Sequence, residues 1–237
     1  MNESQSIVKK PILFNTEMVK AILENRKTCT RRIIKKKYEN ADIEWFENKY
    51  GKRLVYIQND APAPRRNPNG TTTHSLIAME EIKKPYQIGD ILYVRETWAI
   101  QSMSNSDKRI KFMYKVLGDK DLEIRYVSSS RYEELLKYSY KNGWQPSLFM
   151  PKEAARIFLK ITNIRAERLQ DITEEQAKLE GAYMPCYKCG TRELTSDSVT
   201  LFKVIWESTL KKDHLEMYNW KSNPWVWAIE FEVIQNM

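Results

Sequence analysis

The stretch Asn25–Arg32 reads NRKTCTRR. It places Lys27, Thr28 and Thr30 within four residues, flanked by Arg26, Arg31 and Arg32. Upstream, Glu17–Asn25 (EMVKAILEN) sets Met18, Ala21 and Ile22 at helical spacing, with Asn15 or Thr16 available as a cap. Downstream, Cys29–Ile34 (CTRRII) reads as a strand. Along a regular strand Thr28, Thr30 and Arg32 share one face and Lys27 takes the other, so Lys27 reaches Thr30 only if Arg26–Thr28 turns. A threonine hydroxyl is a poor nucleophile until a base removes its proton. A lysine can do so where desolvation or cationic neighbours favour its neutral form. An exposed basic turn whose threonines satisfy backbone groups accounts for the same residues.

The surrounding charge is uneven. The 237 residues carry 39 Lys and Arg against 31 Asp and Glu, a formal +8. Residues 1–37 alone hold ten of the cations and only Glu3, Glu17 and Glu24, a local +7. Such a block fits a polyanionic partner, or simply a solvated basic face. Scarcity excludes other chemistry. Seven glycines without G-x-G-x-x-G or Walker spacing leave no phosphate-cradling loop. His74 and His214 are too far apart in sequence for a zincin motif. Three cysteines make no disulfide framework, which favours a reducing compartment. There is no run of ~18 apolar residues and no signal-peptide pattern, so a cytoplasmic, membrane-free protein is expected.

Strands are expected at Arg53–Gln58, Ser75–Ile82, Ile91–Ile100, Lys111–Val116, Arg156–Arg168 and Pro224–Ile234. Residues 61–73 read as a loop and residues 35–74 as mixed. Helices are expected at Arg131–Lys141, after Pro151, over Thr173–Glu180 with a Thr173/Gln176 capping box and a Gly181 stop, and at Ser198–Leu210. Short strands with irregularly placed helices indicate an α+β fold around a small mixed β-barrel.

Two further clusters invite a chemical reading. In YVRETW, Glu96 and Trp98 share one strand face and Tyr93 and Arg95 the other. A carboxylate beside an aromatic plate suits a base edge, whereas a core tryptophan with Glu96 paired to an arginine such as Arg32 suits the same pattern. Trp225 and Trp227 form a stripe that reads as packing. Cys186-x-x-Cys189 is half a zinc site without a second C-x-x-C to complete it.

Taken together, the helix, N-R-K-T-x-T-x-R and the later G-D-x-L-x-V (Gly89–Val94) resemble ASCH domains, a branch of the PUA-like barrels. The resemblance extends over Lys10–Ile34, Gly89–Ala99, Trp144–Arg156, Ile161–Gly181 and Asn223–Phe231. It looks like the longer ASCH proteins carried by phages and prophages. It implies one PUA-like domain over residues 1–237 with flanking helices and insertions at about 38–73, 101–142 and 183–200. The family includes a small amidohydrolase of acetylated cytidine with a proposed Lys–Thr–Glu trio, which the resemblance carries to Lys27, Thr30 and Glu180. Asn25 replaces the family's glycine, and this chain is much longer. Within that frame Arg26, Thr28, Arg31, Arg32, Arg95, Glu96 and Trp98 are expected to bind a nucleoside or nucleic acid. No cofactor is called for, and Cys186 and Cys189 are the sole metal candidates. The expected function is binding of a nucleic acid or modified nucleoside, and the resemblance adds removal of an acyl group from modified cytidine as the candidate reaction. The alternatives are a non-catalytic RNA, DNA or modified-base reader, and a ribonuclease using Lys27 and Glu180.

Overall fold

The computed structural model describes residues 9–37, 41–58, 65–66, 72–73, 79–116, 118–139, 143–182 and 197–234. In chain order these form β1 (Lys9–Leu13), α1 (Thr16–Leu23), β2 (Cys29–Ile33), β3 (Ala41–Asn48), β4 (Gly51–Gln58), β5 (Arg65–Arg66), β6 (Thr72–Thr73) and β7 (Met79–Glu81). There follow β8 (Ile91–Arg95), β9 (Trp98–Ser104), β10 (Arg109–Tyr114), β11 (Gly118–Tyr126) and α2 (Ser129–Ser139). The last elements are β12 (Phe158–Arg168), α3 (Glu174–Leu179), α4 (Ser198–Thr209), α5 (Leu215–Tyr218) and β13 (Trp225–Ile234). The fold is mixed α+β.

The central sheet has the order β1-β8-β12-β13-β2, with β1 and β8 parallel and the other pairs antiparallel. Its inner face buries Leu92, Leu159, Ile161 and Ile229, each with no exposed surface. The expected closed barrel is not formed among the described residues. Edge strands β1 and β2 do not pair with each other. The chain between them instead drives Phe14, Val19 and Ile22 into the core. One side chain crosses the gap: Arg32 Nη2 donates to the Leu13 carbonyl at 2.7 Å.

Two smaller sheets arise from the regions read as insertions. The β3-β4-β7 sheet occupies much of residues 41–81, where sequence patterning is obscured by Asp42, Glu44 and Glu47. It docks on β13 through Trp225, whose Nε1 donates to the Ile43 carbonyl at 2.7 Å. Within the stretch read as a loop, β5 and β6 pair as a short ladder, and residues 74–78 of the strand expected at Ser75–Ile82 lie outside the described residues. The β11-β10-β9 sheet and α2 enclose a second core of Trp98, Phe112, Tyr114 and Leu135. A single strand over Ile91–Ile100 is therefore wrong. The chain breaks at Glu96–Thr97, leaving the central sheet and entering the second one.

Beneath β2 and β13, a third core joins Leu169, Ala177, Phe202 and Trp206. The Glu174 carboxylate accepts from the Ser198 and Val199 N–H groups at 3.0 and 3.2 Å, tying α3 to the start of α4. Negative charge is favourable at that helix end. No described helix is long and apolar enough to cross a membrane.

Candidate active site

Helix α1 is capped as expected, Asn15 Oδ1 accepting from the Met18 N–H at 2.9 Å. It ends in a turn that the sequence permits because Asn25 tolerates the left-handed region, here with φ at 55°. The Arg26 and Lys27 N–H groups both return to the Ala21 carbonyl, at 2.8 and 3.1 Å. The chain then emerges beside the end of α3, where Lys27 and Glu180 form an isolated antiparallel bridge and the Thr28 N–H meets the Leu179 carbonyl at 2.9 Å.

Helix α3 has the expected reciprocal Thr173/Gln176 capping box. It stops at Gly181, whose φ of 86° suits glycine. Space reinforces that choice, since a Cβ there would stand 3.1 Å from Ala21 Cβ and 3.5 Å from Lys27 Cβ. The close approach seats Glu180 against Lys27.

The Lys27 ammonium lies 2.6 Å from Glu180 Oε2 and also donates to the Glu180 backbone carbonyl at 2.9 Å. The other carboxylate oxygen faces Arg31 Nη1 at 3.3 Å. Arg31 is itself held by Glu167 (Nε to Oε1, 2.8 Å) and by the Gln176 side-chain carbonyl at 2.9 Å. Lys27 is 1% exposed and Glu180 7%, so this is a desolvated network in which each charge has a partner.

The network is buried but not sealed. A cavity of about 370 Å³ is lined by Thr30, Arg31, Arg32 and Glu180, with Phe14, Phe202 and Trp206 as walls. Thr30, itself 2% exposed, thus shares a cavity with Glu180, and Lys27 stands directly behind that carboxylate. The turn falls at Glu24–Asn25 rather than at Arg26–Thr28, and Lys27, already bridged to Glu180, hydrogen-bonds that residue and not Thr30. Cys29 is buried nearby in β2, and burial first, with the charge of Glu180, pushes its thiol up to about 12, too high for a nucleophile. The Arg32 guanidinium is pushed down by burial, against the opposing pull of Glu180 and Tyr86.

The other expected ligand-binding residues divide. Arg31 and Arg32 reach the cavity. Arg26 turns back to Glu24 at 2.5 Å, and Thr28 serves through its backbone, its carbonyl accepting from the Phe231 N–H at 2.9 Å. Arg95 lies apart, with Nη1 donating to the Leu148 carbonyl at 3.2 Å.

Glu96 and Trp98 do not form a recognition plate. Both are 0% exposed. Trp98 packs against Phe112 and Tyr138 at centroid distances of 5.9 and 5.2 Å, and Glu96 is held bidentately by Arg156 at 2.9 and 3.0 Å rather than by Arg32. The second sheet covers the face that a strand pattern alone left open. Trp227 is packed in the central core, as its stripe suggested.

Much of the basic block is also absorbed by the fold. Besides Lys27 and Arg31, Lys10 pairs with Asp90 at 2.7 Å, Lys37 with Glu80 at 2.7 Å and Lys36 with Asp42 at 3.8 Å. Cys186 and Cys189 lie outside the described residues, among which no cluster of three metal-ligating side chains occurs.

Glu167, Gln176, Phe202 and Trp206 were not anticipated as site residues. Glu167 could have been found from its place beside Arg165 on one face of a long alternating strand. The aromatic pair was legible only as the buried face of α4. The sequence matches no protein-family model, and comparison with curated proteins and with solved structures returns no match.

Proposed function

We propose that this chain is a hydrolase of ASCH type that cleaves the amide of an acylated exocyclic amine on a nucleobase, acetylated cytidine being the first candidate. The observation that carries the reading is the Lys27–Glu180 pair. It is joined at 2.6 Å across 153 positions of sequence, with Glu180 and Thr30 opening on one aromatic-walled cavity. Phe14, Phe202 and Trp206, each almost fully buried, make part of the cavity wall apolar and suit the flat face of a base. On this reading the central sheet is a PUA-like barrel left open between β1 and β2.

The roles follow from proton bookkeeping. Transfer within the ion pair leaves Lys27 as a neutral amine and Glu180 as a carboxylic acid. Lys27 then takes the Thr30 hydroxyl proton as Oγ1 attacks the amide carbonyl. Glu180 gives its proton to the departing amine, the C–N bond breaks, and the acyl group remains as an ester on Thr30. Lys27 is again an ammonium and Glu180 a carboxylate. In the second half Glu180 accepts a proton from the attacking water. Lys27 protonates Thr30 as the ester breaks and recovers a proton from Glu180. The net change is amide plus water to acid plus amine. Arg31 holds Glu180 in place throughout.

The ion pairs that consume much of the basic block weaken a purely electrostatic nucleic-acid reader. Acid release from acylated cytidine, and from acylated adenine and guanine nucleosides, tests the proposal. Thr30→Val and Lys27→Ala are expected to lower kcat by about 10²- to 10⁴-fold. Absence of turnover for every acylated nucleoside, or full activity in Thr30→Val, overturns it.

A further inference from the structure

A second cavity, of about 530 Å³, adjoins the first. The two share Leu13 and Arg32, so the Arg32–Leu13 strap across the open edge of the central sheet is also the wall between them. Their electrostatics differ. The first contains the Glu180 carboxylate. The second is lined, among the described residues, by the cations Arg32, Lys35, Lys83 and Arg95 and by no carboxylate.

The two arginines differ from the buried cations near them. Lys10, Lys27, Arg31 and Arg156 each have a carboxylate partner. Among the described residues neither Arg32 nor Arg95 has an ion-pair partner, and each guanidinium has a backbone carbonyl as its hydrogen-bond acceptor. The Nε of Arg95 is buried with no hydrogen-bond partner in the structure. Burial already disfavours the charge on Arg32. Glu180 acts on Arg32 only from the adjoining cavity, so within the second cavity two partly desolvated guanidiniums face no carboxylate, an arrangement that an anion would complete. A guanidinium presents its donors in a fork that matches phosphate, and an ammonium adds charge.

We infer that this second cavity is a phosphate subsite, so the substrate is a nucleoside phosphate, either a free nucleotide or a residue within a strand, rather than a bare nucleoside. Placing its base in the first cavity rests on the function proposed above. Arg32 then stands where base site and phosphate site meet, and Arg95, Lys83 and Lys35 surround the phosphate. Tyr86, also on this cavity, braces β1 through its hydroxyl, which donates to the Pro11 carbonyl at 3.4 Å.

Calorimetric titration tests the subsite without relying on turnover. The probes are cytidine, its 3′- and 5′-monophosphates and a short cytidine-containing single strand. At least one phosphate-bearing probe is expected to bind about 10-fold or more tighter than cytidine, the scale of one charge-assisted contact. That ratio is expected to shrink with added salt, and in Arg95→Gln and in the exposed-site variant Lys83→Gln, which does not threaten the fold. A gain with a monophosphate assigns the subsite to free nucleotides, and a gain with the strand alone assigns it to an internucleotide phosphate. Equal affinity for all probes, or a gain untouched by both variants, overturns the inference. Tight phosphate-dependent binding without acyl hydrolysis would sink the hydrolase and leave the subsite standing. Hydrolysis indifferent to phosphate would do the reverse.

Discussion

Lys27–Glu180 and Arg156–Glu96 are both buried pairs of a cation and a carboxylate, and their surroundings differ in two respects. Glu180 has two cations on it and opens on a cavity beside a hydroxyl, whereas Glu96 has Arg156 on both oxygens and is enclosed by the second core. Arg156 in turn lies 4.1 Å from the centre of the Tyr114 ring, a side chain without exposed surface. A buried charge is therefore not in itself a site. The geometry that matters is whether the carboxylate reaches space that a substrate can enter, and the two pairs divide on that point.

Exchanging one oxygen for an amide in each pair gives the largest separation. Glu180→Gln removes the proton carrier of the proposed mechanism and is expected to lower acyl hydrolysis by about 10²- to 10⁴-fold, measured per folded molecule. Glu96→Gln is expected to leave it unchanged. Equal losses in both would erase the distinction between the pairs.

Removing the cations reverses the ranking for stability. Arg156→Leu strands a sealed carboxylate and is expected to cost about 3–5 kcal/mol in urea unfolding. Lys27→Met leaves Arg31 on Glu180 and is expected to cost less. If Lys27→Met were the more damaging, Arg31 would not be sharing that charge.

The smallest effect is one of pH. Burial pushes the Glu96 carboxyl up, and the Arg156 hydrogen bonds and charge only partly oppose it. A raised value means that the folded state holds its proton more tightly than the unfolded chain. The contribution of Glu96 to stability is thus full below the ordinary carboxylate value of 4.5 and is lost as pH rises through its folded value. Unfolding free energies of wild type and Glu96→Gln, compared from pH 4 to pH 8, are expected to show wild type losing ground as pH rises. The opposite slope would mean that Arg156 outweighs burial.

The same contrast explains what could be read from the sequence. The elements that frame the open site were legible because local rules shape them, whereas the pairing of Lys27 with Glu180 came from the family resemblance. An asparagine that tolerates positive φ ends α1, and a capping box and a terminal glycine frame α3. The sealed pair was legible only as one of two readings, and with Arg32 in place of Arg156. Strand alternation puts Glu96 and Trp98 on one face, but whether that face meets solvent depends on β9–β11 and α2, long-range partners formed mostly by residues read as an insertion. Similarly β3 was hidden because charged residues on its exposed face masked the alternation of Ala41 and Ile43 inward. The open edge between β1 and β2 depends on how far a sheet curls, which a strand pattern does not encode.

The central claim is that Thr30 takes the acyl group, and intact-mass analysis with peptide mapping tests it most directly. Mixing acylated cytidine with the protein and quenching in acid, in wild type and in Glu180→Gln, is expected to leave the acyl mass on the peptide containing Thr30 and to leave none in Thr30→Val. Acid release at the wild-type rate in Thr30→Val, with no adduct on any variant, would contradict the account.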